Sequence, residues 1–291
     1  MTPPQIISFG EVLWDIFPNS EKFGGAPANF ACHAAILGAE VSMVTAIGND
    51  QRGQLAINTL ANYGVDTELI QISPNSQTGI VQIELDDFGK PKFTIEPNSA
   101  WDTVDWNSNL AEHIPKADAI YFGTLSQRQE PARSTIHEAL DIAAKSKVTR
   151  IVDINLRAPF FNKDTVTHSI MVSNLVKLSD EELPYVCKAL NIPLEQSAEA
   201  SLQYIKSMAD LEGIVMTRGE NGAILVNANG TVNQPAFLTE VKDTVGAGDS
   251  FAAAFLLGWL QGKPDDQILR QACKIASKTC THWGAVPALL H

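Results

Sequence analysis

Cysteine is scarce in this sequence, and its spacing excludes two common kinds of site. The 291 residues contain four cysteines and no C-x-x-C pair (Cys32, Cys187, Cys273 and Cys280). This usage fits neither a disulfide framework nor a thiolate zinc site, and it is typical of the reducing cytoplasm. The six histidines show no H-E-x-x-H or similar ligand spacing. We therefore expect a cytoplasmic protein whose cysteines are small buried residues.

Basic residues are too few for a surface that binds polyanions. The chain has 21 Lys and Arg against 33 Asp and Glu, a formal net charge of −12, and no basic run of five or more. Nucleic acids and anionic membranes need many cations to replace condensed counterions, so we expect neither as a partner.

Long apolar runs are missing too. The longest, 251–260, is interrupted by Gly258 and is far shorter than the ~20 residues of a membrane helix.

Two common nucleotide-binding motifs are also missing. Neither the Walker loop G-x-x-x-x-G-K-[ST] nor the dinucleotide motif G-x-G-x-x-G occurs in the chain, so P-loop ATPases and Rossmann dehydrogenases lose their main support. The sequence shows no fixed-period repeat and no linker long enough to separate two folding units. We expect one domain over residues 1–291.

Short β-branched segments alternate with helical patterns along the chain. The predicted strands cover 6–9, 41–47, 119–122, 150–154, 175–178 and 213–216, and the predicted helices include 28–37, 53–62, 131–144 and 198–209. This alternation predicts right-handed βαβ crossovers and a parallel sheet covered by helices on both faces. Ligands of such a sheet bind at the carboxyl ends of its strands.

Residues 78–96, TGIVQIELDDFGKPKFTIE, break the alternation. They predict two strands joined by a polar turn, with no helix between them. Because a hairpin does not fit inside a helix-covered parallel sheet, we expect it to project from the sheet edge. Two interpretations are about equally favoured: a lid that covers a site, and an ornamental or dimer-forming hairpin.

The segment VKDTVGAGDSFAAAF, residues 241–255, predicts an anion-binding site. A small-residue turn, Gly246-Ala247-Gly248, precedes a helix predicted over 249–257. The free amides and the positive end of the helix dipole favour an anion at this turn. Asp249 lies beside it, where a carboxylate acts either as a helix cap or as a general base next to a phosphate.

Four further positions give weaker signals. In FGGAPAN, residues 23–29, Gly25 lets backbone amides face a ligand, and Asn29 either binds sugar hydroxyls or caps the next helix, predicted over 30–37. Asp15 follows the first strand and either binds hydroxyls or stabilises a turn. Glu182 lies three residues after Ser179, a spacing that fits a capping box.

A last glycine-rich segment, MTRGENGAIL, covers residues 216–225. It places Thr217, Gly219 and Gly222 between two predicted strands. An ordinary glycine hairpin is the favoured interpretation from these residues alone.

GGAPAN near the start and DTVGAGDSF near the end, with the hairpin between them, resemble the two signatures of the ribokinase-like (PfkB) carbohydrate kinase family. The resemblance runs from Ile6 to about Leu289, and GEVLWD, the AWD at 100–102 and the DINLR at 153–157 look most like bacterial fructokinases. It implies a three-layer α/β/α sandwich with a mostly parallel central sheet. It also implies a small β-strand lid formed by about 12–23 and 77–101.

The resemblance implies an ATP-dependent sugar kinase that phosphorylates a primary hydroxyl, with D-fructose as the favoured sugar. Asp249 would be the catalytic base, and the turn at 246–248 the anion hole, because phosphoryl transfer depends on positioning and charge neutralisation. The implied sugar site contains Asp15, Gly25 and Asn29, with Arg157 near the phosphates. Trp14, Phe23 and Trp101 are candidate apolar faces for the sugar ring. The implied nucleotide site contains Thr217, Gly219, Gly222, Gly248 and Cys273. A packed tryptophan and a solvated arginine are the alternatives for Trp101 and Arg157.

The metal positions depart from the family pattern. The N-x-x-E motif, which organises Mg²⁺ through water, keeps Glu182 but has Ser179 in place of the Asn. The family's monovalent-cation loop would use Asp243 and the carbonyls of Val245 and Gly284, with Ala288 where a hydroxyl residue can occur. We expect ATP and Mg²⁺, and K⁺ stays open. The pattern is compatible with a homodimer through the lid and equally with a monomer.

Two other functions remain as alternatives. One is a kinase for 2-keto-3-deoxygluconate or another hexose. An acid substrate would need extra cations, and the hairpin offers only Lys90 and Lys92. The other is a catalytically silent binding protein on the same fold, which the retained Asp249 and intact Gly-Ala-Gly turn disfavour.

Overall fold

Strands and helices alternate through most of the computed structural model, which describes residues 2–85, 91–193 and 197–286. The strands in these ranges are β1 (Gln5–Phe9), β2 (Leu13–Phe17), β3 (Ser20–Gly24), β4 (Glu40–Gly48), β5 (Val65–Asp66), β6 (Ile70–Ser73), β7 (Gly79–Leu85), β8 (Pro91–Ile95), β9 (Ala119–Gly123), β10 (Thr149–Asp153), β11 (Leu175–Ser179), β12 (Gly213–Thr217), β13 (Ala223–Asn227) and β14 (Gly230–Gln234). The α-helices are α1 (Ala26–Ile36), α2 (Gln51–Asn62), α3 (Ser108–His113), α4 (Ala132–Lys145), α5 (Lys163–Met171), α6 (Leu183–Ala189), α7 (Ala198–Met208), α8 (Ala247–Leu260) and α9 (Asp265–Thr279).

The larger sheet is mostly parallel, as the alternation predicted. Within the described ranges it has ten strands in the order β14-β13-β12-β11-β10-β9-β1-β4-β5, with β6 paired to β4. The strands from β12 to β5 in this order run parallel, whereas β13 pairs antiparallel with both β12 and β14. The carboxyl ends of the parallel strands therefore lie at one edge of the sheet.

Helices cover both faces of this sheet and create two cores. Alternate side chains of β9 show the division, because Ile120 and Phe122 join the core beneath α3–α7 while Ala119 and Tyr121 join the core beneath α1, α2, α8 and α9. The expected three-layer α/β/α sandwich is confirmed. No helix in the described ranges is both long and apolar enough to cross a membrane.

Two helices that carry candidate site residues begin earlier than predicted. Helix α1 starts at Ala26, because Pro27 fits a first helical turn and Gly25, with φ of 107°, precedes it as the cap. Helix α8 starts at Ala247, after Gly246 in the left-handed conformation with φ of 77°. Asn29 and Asp249 are therefore inside their helices and cap neither.

In the described part of the chain, the predicted hairpin is not paired with any strand of the large sheet. Its strands, β7 and β8, belong to a separate four-stranded sheet in the order β3-β2-β7-β8, which we call the small sheet. The second pair arises because residues 18–19, Pro-Asn, reverse the chain between β2 and β3, and β2 then pairs parallel to β7. The turn at 86–90, including Lys90, lies outside the described residues, as does the side chain of Lys92.

A glycine sets how closely the small sheet packs on its core. A Cβ at Gly79 of β7 would collide with the ring of Trp101, which is 1% exposed. We expect Gly79→Ala to lower the free energy of unfolding by about 1–3 kcal/mol, since the ring has no space to move. Gly123→Ala on β9 is the control, because its Cβ would meet only the Asp153 carbonyl at 3.6 Å. Urea denaturation that finds equal stability for both variants would contradict this packing.

Candidate active site

Polar residues gather at the carboxyl edge of the parallel sheet. Glu11 follows β1, Asp153 ends β10, Glu182 follows β11, and Thr217 ends β12. The amino-terminal turn of α8 brings Asp249 to the same group, because its carboxyl interacts electrostatically with those of Glu11 and Asp153. The edge therefore combines acids with the free amides of a helix start.

The first turn of α8 and the first turn of α1 are joined by one hydrogen bond. Asn29 Nδ2 donates to Asp249 Oδ2 at 2.8 Å, across 220 positions of sequence. The two residues implied as sugar ligand and catalytic base are thus direct neighbours. Asn29 Oδ1 is buried without a partner in the described part of the chain, so it has an acceptor to offer a hydroxyl group.

Asp249 has the electrostatics of a proton acceptor. Desolvation raises the pKa of its carboxyl, while the hydrogen bond from Asn29 and the charges of Lys177 and Arg157 lower it, and the net direction is upward. A raised pKa brings a carboxylate closer to the basicity that proton transfer near neutral pH requires. The cap interpretation of Asp249 is excluded, because Gly246 occupies the cap position.

The turn at 246–248 offers fewer free amides than its sequence suggests. The Ala247 amide donates to the Thr244 carbonyl, and the Ser250 amide donates to the Gly246 carbonyl. The amides of Gly248 and Asp249 have no such partner in the described part of the chain, so they are the donors that this helix start presents.

A buried ion pair that the motif analysis missed lies beneath this helix start. Lys177 Nζ contacts both carboxylate oxygens of Asp153, at 2.8 and 3.0 Å, and Tyr121 donates its hydroxyl hydrogen to the same carboxylate at 3.1 Å. Lys177 Nζ is also only 3.2 Å from where a Cβ of Gly248 would stand. Burial alone would lower the pKa of Lys177, but the carboxylates of Asp153, Glu182 and Asp249 raise it. A cation is therefore fixed under the glycine turn.

Sequence alone carried a signal for this pair. Asp153 and Lys177 are charged residues in otherwise apolar buried strands, and such residues are rarely buried without a partner or a role. Strand periodicity indicated the strands but gave no reason to pair them.

Glu182 is occupied by the backbone. Its Oε1 accepts from the Leu156 amide at 2.7 Å and its Oε2 from the Ser179 amide at 2.8 Å. The second contact closes the turn before α6, and Glu182 itself holds the cap position of that helix, so the capping box suggested by the spacing is not formed. Each oxygen keeps a lone pair, so the carboxylate remains able to accept from a metal-bound water.

The sugar-side candidates come from both sheets. Asp15 lies on β2 of the small sheet, and burial raises its pKa to about 6 against the opposing charges of Lys22 and Arg157. Arg157 is exposed and follows β10, and its positive charge acts on Glu11, Asp15 and Asp249 together. Its guanidinium is therefore within electrostatic range of the site's carboxyl groups.

The prediction that Trp101 contacts the sugar is wrong. Its side chain is 1% exposed and packs in the core of the small sheet with Leu13, Val81 and Ile83, so its ring cannot form an apolar face for a sugar. Gly25 has a local role, because a Cβ there would collide with the Glu11 carbonyl.

Trp14 and Phe23 remain as aromatic candidates. They are only partly buried and meet edge to face at 5.7 Å on neighbouring strands of the small sheet.

The implied nucleotide residues form the expected glycine hairpin. Thr217 of β12 pairs with Ala223 of β13, and Gly222 turns with φ of 84°, where a Cβ would collide with the Gln234 carbonyl. Gly219 faces open space. Cys273 of α9 is near this hairpin: burial raises its pKa to about 11, and the charge of Arg218 acts on it. Its role toward a nucleotide stays a prediction.

Asp243 connects the two segments of the implied cation loop. Its Oδ1 accepts from the Val245 amide at 3.1 Å and its Oδ2 from the Gly284 amide at 2.9 Å. Ala288 lies outside the described residues. The two segments of the implied cation loop are therefore held together by Asp243. The binding of K⁺ by this loop stays a prediction.

Residues 5–290 match the model of the pfkB family carbohydrate kinases. The chain belongs to this family. It is 29% identical to the probable fructokinase-5 of Arabidopsis thaliana, over 98% of this chain and 94% of the relative. As a pfkB family kinase it is a phosphotransferase that acts on a sugar hydroxyl.

Two solved structures have the same fold. An uncharacterized sugar kinase from Pyrococcus horikoshii, in complex with ATP, superposes with a TM-score of 0.82 at 26% identity, over 96% of this chain and 93% of the other. The fructokinase of Vibrio cholerae O395 with fructose, ADP and calcium ion gives 0.84 at 24%, over 99% and 96%. The latter likeness concerns the fold.

Glu11 is a second site residue of this pfkB family kinase that the motif analysis did not select. It is 3% exposed, and its Oε2 has no partner in the described part of the chain. Burial raises the pKa of Glu11 to about 7, and the Asp249 carboxylate also raises it, while backbone amides and Arg157 lower it. Its place directly after a buried strand, in GEVLWD, was the available signal.

Glu11 should make the stability of the kinase depend on pH. A pKa raised from 4.5 to about 7 means that the folded state binds this proton more tightly, so stability falls as pH rises through this window. We expect Glu11→Gln to remove that loss. Its free energy of unfolding, relative to wild type, should increase by on the order of 3 kcal/mol between pH 4.5 and 7.5.

Urea denaturation at several pH values measures this difference. Glu68→Gln is the control, because Glu68 is exposed and should give a difference that is flat with pH. A flat difference for Glu11→Gln as well would show that folding does not raise the pKa of Glu11.

Proposed function

We propose that this kinase transfers the γ-phosphate of ATP to the O6 hydroxyl of D-fructose, with Asp249 as the base. The observation that carries the proposal is the position of Asp249. It lies within a helix start that has two unpaired amides, and it is hydrogen-bonded to Asn29, the residue implied to bind the sugar.

The residues around Asp249 suit phosphoryl transfer. Asp249 would accept the proton of the attacking sugar hydroxyl while the hydroxyl oxygen bonds to the γ-phosphorus. ADP would leave as the bond between the γ-phosphorus and the β-phosphate oxygen breaks. The amides of Gly248 and Asp249, with Lys177 beneath them, would stabilise the negative charge of the transferring group. These donors are fixed before the substrate arrives, since Lys177 is held by Asp153.

The residues fit a magnesium ion carried mainly by the nucleotide. Within the described ranges no group of three or more His, Cys, Asp or Glu side chains could hold a metal, so the phosphates would supply most ligands, with Glu182 acting through water. Magnesium bound there would neutralise phosphate charge. We also propose, more narrowly, that the Asp243 loop is the site of any K⁺ activation.

Charge balance favours a neutral sugar. Arg157 acts on Asp15, Glu11 and Asp249, while Lys22 acts on Asp15 and Lys177 acts on Asp249. The carboxyl groups of the site therefore already offset these cations. An acid such as 2-keto-3-deoxygluconate would add a further negative charge to the same place. The similarity to a probable fructokinase supports the same choice.

We propose that the small sheet is the lid, formed by about 12–23 and 77–101. Asp15 belongs to this sheet, whereas Asp249 and Asn29 belong to helices on the large sheet. Movement of the small sheet would therefore change the distance between Asp15 and the base Asp249, and closure would exclude water.

A homodimer through this sheet is a separate proposal, which the mass measured by sedimentation tests.

Removing the base should abolish turnover and spare binding. We expect Asp249→Asn to lower kcat by about 10²–10⁴-fold, with fructose and ATP dissociation constants within a few-fold of wild type. Asp266→Asn is the control, since it removes an exposed carboxylate from the first turn of α9 and should leave kcat unchanged. An Asp249→Asn variant with near-normal kcat would remove Asp249 from the reaction.

The choice of sugar is tested by ADP release with Mg²⁺, with and without K⁺. We expect the highest kcat/KM with D-fructose, and a much lower value with 2-keto-3-deoxygluconate because its carboxylate is unpaired in the site. Ribose, tagatose and adenosine complete the panel. A preference for the acid would overturn the fructose proposal, and no sugar-dependent release with any of them would indicate a silent binding protein.

A further inference from the structure

Arg128 is a buried cation that the proposed reaction does not use. It directly follows the short 3-10 helix Leu125–Gln127, beyond the carboxyl end of β9, and its side chain is only 2% exposed. Its Nε and one terminal nitrogen donate to the two carboxylate oxygens of Asp102, at 2.8 and 2.7 Å. Two-point contacts of this kind fix the orientation of both side chains.

The same guanidinium reaches the segment that ends the small sheet. It donates to the carbonyl of Glu96 at 2.8 Å, one residue after β8 ends. The ring of Trp101, the residue before Asp102, packs against the guanidinium group. Its centre is 4.7 Å from Arg128 Cζ. We call residues 96–103 the root of the small sheet, because they connect β8 to the rest of the chain.

Arg128 also contacts the loop that carries Arg157. The ring of Phe160 is 4.7 Å from Arg128 Cζ. Phe160 is three residues after Arg157 and donates its backbone amide to the Arg157 carbonyl at 2.8 Å. A displacement of the Phe160 ring would therefore be transmitted to the Arg157 backbone.

We propose that Arg128 is a positioning residue that couples the root of the small sheet to Arg157, through Asp102 on one side and Phe160 on the other. The role of Arg157 rests on the function proposed above. The coupling itself is a property of the contacts, because one rigid planar group joins three segments: the root, the end of β9 and the loop after β10. When the small sheet closes, this connection would keep Arg157 in place over the sugar site.

The chemistry of the group distinguishes positioning from simple charge pairing. A lysine would keep the charge near Asp102, but it has neither the planar two-point contact nor a flat face for the aromatic rings. We therefore expect Arg128→Lys and Arg128→Met to behave alike. Each should raise the KM for fructose about tenfold, with the KM for ATP within twofold and kcat little changed. Recovery of the wild-type KM in Arg128→Lys would show that charge alone matters and would overturn the proposal.

A double-mutant cycle tests whether the effect passes through Phe160. Phe160→Leu should raise the KM for fructose in the wild-type background and have no further effect in an Arg157→Met background. Phe161→Leu is the matched control, since the neighbouring ring packs edge-on against Tyr185 at 4.8 Å and not on Arg128. Additive effects of Phe160→Leu and Arg157→Met on the KM for fructose would show that the two residues act independently, and would contradict the coupling.

Hydrogen exchange gives a readout that needs no activity. Arg128→Met should speed amide exchange in both 96–103 and 155–161, because the contact that joins these segments is lost. Arg150→Met is the control, since Arg150 is half-buried near the opposite end of β10 and donates to the carbonyl of Val172. Faster exchange confined to 96–103 would overturn the coupling even in a fully active protein. If the wild type lacks sugar-dependent ADP release, the proposed function fails and this exchange experiment still decides the coupling.

Discussion

The hydrogen bond between Asn29 and Asp249 is the contact on which the arrangement of the site depends. It joins residues that are 220 positions apart, and it forms only because α1 and α8 lie side by side on one face of the large sheet. Both helices direct their amino-terminal ends toward this contact, so two positive dipole ends meet there. The packing is close because the buried faces of the helices consist largely of alanine, and Phe30, Phe251 and Phe255 join the same core. The hydrophobic core thus sets the distance between the proposed sugar ligand and the proposed base.

The site gathers more acid than base, and this has a consequence for its ligand. Glu11, Asp153 and Asp249 are carboxyl groups with raised pKa, and Lys177 and Arg157 are the cations that act on them. An anionic nucleotide would meet repulsion at such a site unless a metal ion and oriented amides offset the carboxylates. The requirement for a metal therefore follows from the charges of the protein as well as from those of the phosphates. It also explains how a chain with a net charge of −12 suits a polyphosphate: the favourable field is local to the helix start, while the rest of the surface is acidic.

Sequence patterns predicted the large sheet well because parallel strands buried on both faces produce apolar runs, and those runs have few alternative structures. They failed where the deciding contact is between distant residues. The pairing of β2 with β7 depends on strands about 65 positions apart, so the pattern of 78–96 alone did not indicate it. Only the family resemblance grouped this hairpin with residues 12–23. Trp101 was assigned to the sugar by residue type, whereas its burial is decided by Gly79 and Arg128. Lys177 and Glu11 were overlooked because Lys177 lies inside a strand and Glu11 directly after one, and no motif role was assigned to either. Their importance comes from what surrounds them in three dimensions.

The division of the site between two sheets creates a constraint that the fold must satisfy. Asp15 belongs to the small sheet and Asp249 to the large one, so the proposed reaction needs the two sheets to approach and then to separate for product release. Flexible attachment alone would let Asp15 sample many positions and would leave water near the phosphate. Attachment through buried polar contacts limits the movement instead. The root segment is fixed by Arg128, and on the opposite side Trp14 of β2 donates to the Arg52 carbonyl at 3.1 Å while Arg52 pairs with Glu21 of β3 at 2.7 Å. The first of these attachments is desolvated and the second is exposed, so salt and solvent weaken the second far more than the first. The attachment at Arg52 would therefore be the easier of the two to release when the small sheet moves.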